Sequence, residues 1–185
     1  MPSTHIRLSA RPNDFSLAAE IEASAEDLLI DYLHATDWPP VDSAQERMAM
    51  PGFLLLAKHD SDGVVGFAHV LEIDGFVHLE QLAVRPDHGR RGHGRMLVKA
   101  ALAETVARGY AEITLRTFRY VPWNAPFYAT CGFRCSEPHS PFHRRLHDVE
   151  TRLGLEKYGE RIQMTARLGR SGRRTAPESG PKLEQ

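Results

Sequence analysis

Apolar and polar positions along the chain change period several times, and each change marks an element. Ile6-Arg7-Leu8 alternates as a short strand, and Pro12-Asn13-Asp14 is a helix entry with an acid in the first turn. Apolar residues at Phe15, Leu17, Ala18 and Ile21, then at Leu28, Leu29, Tyr32 and Leu33, predict two short helices ended by Trp38-Pro39-Pro40. Phe53 to Lys58 and Val64 to Ile73 are predicted strands joined by His59-Asp60-Ser61-Asp62-Gly63. A third strand, Phe76 to Val84, follows the Asp74-Gly75 turn and is closed by Pro86. A helix then begins near Gly92, with Leu97, Ala101, Leu102, Thr105 and Val106 at helical spacing, and stops at Arg108-Gly109. Ala111 to Thr117 returns as a strand, so the strands on either side of this helix should be parallel and close together. Val121 to Cys131 predicts a short helix, and Phe133 to Cys135 and Arg161 to Leu168 predict strands. Between those strands, 138–158 is an insertion carrying one helix around His143 to Leu155.

Composition narrows the class without naming a chemistry. The 185 residues fit one domain over 1–168, with a Gly/Ser/Pro/Arg-rich tail over 169–185 expected to be disordered. A net charge of −1 gives no general attraction to nucleic acid or membrane, and no run approaches the ~20 apolar residues of a membrane span. The start of the chain has no secretory layout, so a cytoplasmic protein is expected. Cys131 and Cys135 are too few for a disulfide framework or a four-ligand zinc site and are expected as buried, reduced thiols. His139, His143 and His147 have helical spacing, but Pro141 interrupts them, and no metal is expected. Local charge is more telling. Between Arg11 and Arg47 there is no Lys or Arg, while nine acidic residues fall inside; from Arg85 to Lys99 the balance reverses.

That basic stretch is Leu82-Ala83-Val84-Arg85-Pro86-Asp87-His88-Gly89-Arg90-Arg91-Gly92-His93-Gly94-Arg95, a strand feeding a glycine-arginine loop that opens into a helix. Unpaired N–H groups at a helix start, its partial positive charge and glycines that let an anion approach the main chain make a diphosphate cradle. The segment Leu82-Ala83-Val84-x-Pro86 with Arg91-Gly92-x-Gly94, and Asn124-x-x-x-Tyr128-x-x-x-Gly132-Phe133 after it, resembles the two signatures of the GNAT superfamily of acetyltransferases. The resemblance covers about Ile6 to Arg167. It implies an α/β (α+β) GNAT fold: a mixed central sheet of about six to seven strands, flanked by about four helices and splayed between its fourth and fifth strands. It also implies acetyl-coenzyme A as co-substrate, bound by Leu82, Ala83, Val84, Gly89, Arg90, Arg91, Gly92, His93, Gly94, Arg95, Asn124 and Tyr128. The family usually carries Gln or Arg where this chain has Gly89; backbone donors and Arg90 or Arg91 can take over that charge.

Acetyl transfer to an amine needs a base for the amine, donors for the developing oxyanion and an acid for the departing thiolate. Strand alternation puts His78, Glu80, Leu82 and Val84 on one face and Val77, Leu79, Gln81 and Ala83 on the other. The resemblance places the base at His78 and Glu80, with Glu80 favoured and His78 its relay partner, and the acid at Tyr128; the main chain of Leu82 to Val84 would bind the donor, its N–H groups exposed by a β-bulge. In the superfamily the first two helices roof the acceptor. The acidic stretch lies there, so a cationic small-molecule amine is expected, held by Glu26, Asp27, Asp31, Tyr32 and Trp38. The alternatives are a protein N-terminal or lysine acetyltransferase and a non-catalytic coenzyme A sensor, as monomer or homodimer.

Overall fold

The computed structural model describes residues 3–169. Of the tail expected from Gly169 onward, all but that glycine lies outside the described residues. The element order is β1 (Thr4–Leu8), α1 (Asn13–Leu33), α2 (Ala44–Ala49), β2 (Gly52–His59), β3 (Gly63–Ile73), β4 (Phe76–Val84), α3 (His93–Ala107), β5 (Glu112–Phe118), α4 (Ala125–Thr130), β6 (Arg134–Ser136), α5 (Pro141–Arg152) and β7 (Arg161–Arg167). Short 3-10 turns cover Pro86–His88 and Leu155–Tyr158.

Two expectations on the N-terminal side are corrected. The stretch expected as two short helices is the single α1. The polar residues between Ile21 and Leu28 do not break it, because none is a helix breaker and Glu22 is itself buried, facing a partner contributed by a later element. The second helix, α2, lies instead beyond the prolines, where Ser43 and Glu46 cap each other's backbone N–H groups in a capping box.

Seven strands make one mixed sheet in the order β1-β2-β3-β4-β5-β7-β6. The β3–β4 hairpin turns on Asp74 and Gly75, both at positive φ (54° and 81°), the backbone of the two-residue turn that matches strand twist. β4 and β5 are parallel across α3, as the crossover requires, but pair only at His78↔Thr114 and Leu79↔Leu115. Beyond Leu79 they part. β7 pairs antiparallel with both β5 and β6, so the chain between β6 and β7, which holds α5, packs back over the same end of the sheet.

The sheet buries both faces. Against α3 lie Val65, Ala68, Val70, Val77, Leu79, Ile113 and Leu115 with Leu97, Val98 and Ala101; against α1 lie Leu54, Leu56, Phe67 and Ala83 with Ala18 and Ile21. Gly66 allows α3 to come close: a Cβ there would meet the Ala83 carbonyl oxygen at 2.9 Å and Leu97 Cδ1 at 3.2 Å.

Candidate active site

The site is built around an irregularity in β4. Pairing with β3 runs in one register through His69↔Gln81 and in another from Val70↔Leu79, so Glu80 is an extra residue, a bulge. The bulge changes the phase of the strand. Val77 and Leu79 pack on the α3 side, and after Glu80 so do Leu82 and Val84, while Ala83 turns to the α1 side. The simple alternation read from the sequence is therefore corrected: His78 and Glu80 do not share a face with Leu82 and Val84. The bulge lies at Glu80 itself, and its register depends on β3, which the sequence of β4 does not contain.

His78 is 3% exposed; its Nδ1 is 2.8 Å from Thr114 Oγ1 and its Nε2 is 3.7 Å from Glu80 Oε2. Burial, helped by the charges of His143, Arg116 and Arg161, drives its pKa down to about 3, so the imidazole is neutral. Glu80 keeps a third of its side chain open to solvent, and the charged groups that act on it, Asp42, Arg47, Glu150 and Arg161, mark out a recess around it. Desolvation in that recess, then the Asp42 and Glu150 carboxylates, push its pKa up to about 7 against the pull of Arg47 and Arg161. A carboxylate at this value changes protonation near neutrality, as a general base requires.

The roof is held by a buried network. Arg47, 1% exposed on α2, pairs with Glu22 of α1, and Gln81 of β4 donates from Nε2 to the same carboxylate. Arg47 Nη1 also lies 3.4 Å from His69 Nδ1, and Asp42 Oδ2 sits 4.0 Å from Arg47. Glu26, one turn along α1 from Glu22, faces the same groups; burial and then the neighbouring carboxylates raise its pKa to about 7, against a hydrogen bond from Trp38. On the opposite wall, Glu150 of α5 takes Arg116 Nε at 2.7 Å and also pairs with Arg161 of β7. Around the recess stand five carboxylates, Glu22, Glu26, Asp42, Glu80 and Glu150, against three guanidinium groups, Arg47, Arg116 and Arg161.

Of the expected acceptor residues, Glu26 and Trp38 face this recess or pack beside it; the Trp38 ring lies 6.3 Å from Phe118 and 5.6 Å from Tyr158. Tyr32 packs edge-on against Trp123 at 5.0 Å, joining the end of α1 to the loop before α4. Asp27 and Asp31 are exposed, a quarter turn or more off the Glu22–Glu26 stripe. Asp42, Glu150, Arg47 and Arg161 went unnoticed in the sequence. Asp42 lies in a proline-flanked loop, Arg47 on the unexpected α2, and Glu150 and Arg161 on elements far along the chain; the Ser43-x-x-Glu46 capping box is the sequence signal that could have marked α2.

The parting of β4 and β5 leaves main-chain groups free. Arg85 N–H donates to Val65 O (2.9 Å), so by strand alternation the N–H and C=O of Ala83 turn to β3, whereas those of Leu82 and Val84 face the gap. Leu82 N–H meets the Gln81 side-chain oxygen at 3.2 Å. Below the gap, Arg90 and Gly92 take left-handed φ of 61° and 87° and lead into α3, whose N-cap Gly92 supplies no side chain and whose first turn holds no acid. The first intrahelical bond is Met96 N–H to Gly92 O (3.0 Å), leaving the amides of His93, Gly94 and Arg95 directed outward beside the exposed Arg90 and Arg91. Gly89 has an ordinary extended backbone, φ −60°, so only Gly92 is required there by conformation.

Two side chains in the loop turn elsewhere. Arg95 bonds Thr130 (O at 3.1 Å, Oγ1 at 2.9 Å), tying α3 to α4, and the His93 ring is buried among His59 and His88, 6.3 and 5.9 Å away. Asn124 is the N-cap of α4 with its side chain free of the cap, and Tyr128, on the same helix, packs 5.8 Å from Phe133. Burial holds the Tyr128 phenol above its ordinary pKa, and Arg161, which also acts on Glu80, pulls it back. Cys131 is partly buried, but Cys135 is exposed on the edge strand β6, correcting the expectation of two buried thiols. An anion cradle, the main-chain groups of Leu82 and Val84 turned into the gap, and a protonated phenol together fit a coenzyme A thioester.

The family model for the acetyltransferase (GNAT) family matches residues 18–133. Among solved structures, the chain is similar to the ribosomal-protein-S18-alanine N-acetyltransferase of Escherichia coli, with 20% identity, TM-score 0.64 and coverage of 94% of this chain and 99% of that one. It is also similar to the PaiA N-acetyltransferase of Thermoplasma acidophilum in complex with coenzyme A, with 17% identity, TM-score 0.63 and coverage of 89% and 99%. An acetyltransferase of Bacillus subtilis in complex with CoA matches at 19% identity and TM-score 0.56, covering 90% and 99%. The family match spans both the bulged strand and the α3 cradle, and with the splayed sheet it leads to one conclusion: the chain belongs to the GNAT family of acetyltransferases and is an acyltransferase.

Proposed function

We propose that the protein moves the acetyl group of acetyl-coenzyme A onto a primary amine of a cationic small molecule. The observation that carries this is the position of Glu80: an extra residue in β4, on the floor of a recess where carboxylates outnumber guanidinium groups, next to the gap that exposes Leu82 and Val84. The donor would lie with its diphosphate on the amides of His93 to Arg95 and beside Arg90 and Arg91, its arm along the open edge of β4 and near Asn124. It supplies an activated acyl carbon.

The rest is done by this chain's side chains and amides. Glu26, Asp42 and Glu80 draw the cationic acceptor in. A lysine-like amine has a pKa near ~10.4 and arrives protonated, so one proton must first leave its nitrogen, through Glu80 to solvent, to free the lone pair; Glu80 then takes a second as the N–C bond forms. Leu82 N–H, released from Gln81, and Val84 N–H receive the charge on the carbonyl oxygen. As the C–S bond breaks, Tyr128 gives its phenolic proton to the sulfur. Two protons leave the nitrogen in all: one is released to solvent, and the other balances the proton that Tyr128 gives to the thiol and recovers.

Thiol release from acetyl-coenzyme A against diamines, neutral amines, amino acids and short peptides tests the reading. Polycationic amines should turn over best, and Glu80→Gln should lower kcat by about 10²–10⁴-fold with donor affinity kept. The name of the Escherichia coli neighbour records acetylation of an alanine of a ribosomal protein, which makes a peptide N-terminus the second reading. Preferential turnover of the peptides would replace the small-molecule acceptor. Donor binding without thiol release from any acceptor would leave a sensor.

A further inference from the structure

A line of hydrogen bonds runs through the core behind His78, and none of its outer members enters the mechanism above. Ser140, 5% exposed, caps α5: its Oγ accepts the His143 backbone N–H at 3.1 Å and lies 2.8 Å from His143 Nδ1. His143 is fully buried, and its Nε2 is 3.2 Å from Thr114 Oγ1. Thr114 Oγ1 is in turn 2.8 Å from His78 Nδ1 and 3.3 Å from the Val77 carbonyl oxygen.

The Thr114 hydroxyl proton can go to the Val77 carbonyl oxygen, which leaves a proton on His78 Nδ1, or to His78 Nδ1 itself; the shorter contact favours the second, and the rest of the line follows from it. With the backbone amide on its lone pair, the Ser140 hydroxyl turns its proton to His143 Nδ1. The His143 proton then sits on Nε2 and is donated to Thr114. Thr114, having accepted, gives its single proton to the nearer of its two acceptors, His78 Nδ1. The His78 proton is left on Nε2, aimed at Glu80 Oε2 across 3.7 Å, a gap that rotation of the partly exposed Glu80 side chain closes.

We infer that His143, acting through Thr114, is a positioning residue that fixes His78 in the Nε2–H tautomer, so that His78 donates to Glu80 and Glu80 alone receives the proton of the amine. This rests on Glu80 as the base, and it gives α5, the insertion between β6 and β7, a part in the reaction although none of its residues on this line touches the acceptor. The other charged groups facing Glu80 are Asp42 before α2, Arg47 on α2, Glu150 on α5 and Arg161 on β7; those facing His78 are His143, Arg116 and Arg161. None of them is altered when Thr114 is replaced by Val.

The tautomer can be read directly by ¹⁵N–¹H imidazole spectroscopy of the wild-type protein, where His78 should carry its proton on Nε2. Thr114→Val should loosen that tautomer and, with the donated hydrogen bond weakened, move the acid limb of the kcat profile up by roughly half a pH unit or more. Thr114→Ser should restore both. A His78 protonated on Nδ1 in the wild type, or an acid limb unmoved in Thr114→Val, overturns the inference. A Glu80→Gln variant that keeps its kcat overturns the base reading beneath it, and because the spectrum does not depend on activity, the two failures are told apart.

Discussion

Glu80 and Tyr128 are residues whose surroundings, more than their identity, set what they do. Glu80 is raised to about 7, mainly by desolvation, so its basic form gains population as pH rises through that value. The sign follows for the enzyme: kcat/KM for an amine should fall as pH drops below about 7, and this limb should be missing from Glu80→Gln when the two profiles are overlaid. Desolvation raises Tyr128 as well, and because a phenol starts far above neutrality it stays protonated wherever the enzyme works. Tyr128→Phe should lower kcat with little change in the affinity for coenzyme A, measured by calorimetry; a wild-type kcat would remove the phenol from the proton path. The resemblance pointed to both positions, Tyr128 inside its second signature and Glu80 just ahead of its first. The partners that tune them, Asp42, Glu150 and Arg161, were not legible in the sequence, because burial and charge at a point in space are supplied by segments more than a hundred residues apart.

Elements were legible where punctuation was local. β4 has the bounds expected of it, since Asp74-Gly75 and Pro86 fence it on both sides, and α3 begins where the glycines place it. The length of α1 and the existence of α2 were missed for one shared reason. Glu22 and Arg47 look like surface polar residues in sequence, but each is buried against the other, so the polar gap in α1 is an interior contact and α2 is the element that delivers its partner. Removing one partner strands a charge in the interior. Arg47→Ala should cost about 3–5 kcal/mol in urea-induced unfolding, and Arg47→Met with Glu22→Leu should cost much less. A loss within about 0.5 kcal/mol for Arg47→Ala, the size of an ordinary surface change, would mean the network does not hold the roof.

For the molecule as a whole, a net charge of −1 hides a division of labour. Exposed Arg90 and Arg91 stand at the α3 cradle, and a surplus of carboxylate surrounds Glu80. Among the described residues no helix is long and apolar enough to cross a membrane. Such local fields act through water and are screened as the Debye length shrinks from ~30 Å at 0.01 M salt to ~3 Å at 1 M. At saturating donor, kcat/KM for a dicationic acceptor should therefore fall with ionic strength while that for a neutral amine stays level, and Asp42→Asn should flatten the first curve. Equal slopes would show that acceptor charge is not what the recess selects.

The bulge at Glu80 joins two properties that are usually separable. The residue supplies a carboxylate, and its presence as one position more than β3 can pair also decides which side of the sheet everything after it faces. Identity and length are thus carried by the same place in the chain. Exchanging the side chain leaves Leu82 and Val84 packed under α3, whereas deleting the position would send those two apolar side chains to the opposite face of the sheet and turn Ala83 toward α3. In this strand a substitution at position 80 is a change of chemistry, and a deletion there is a change of fold.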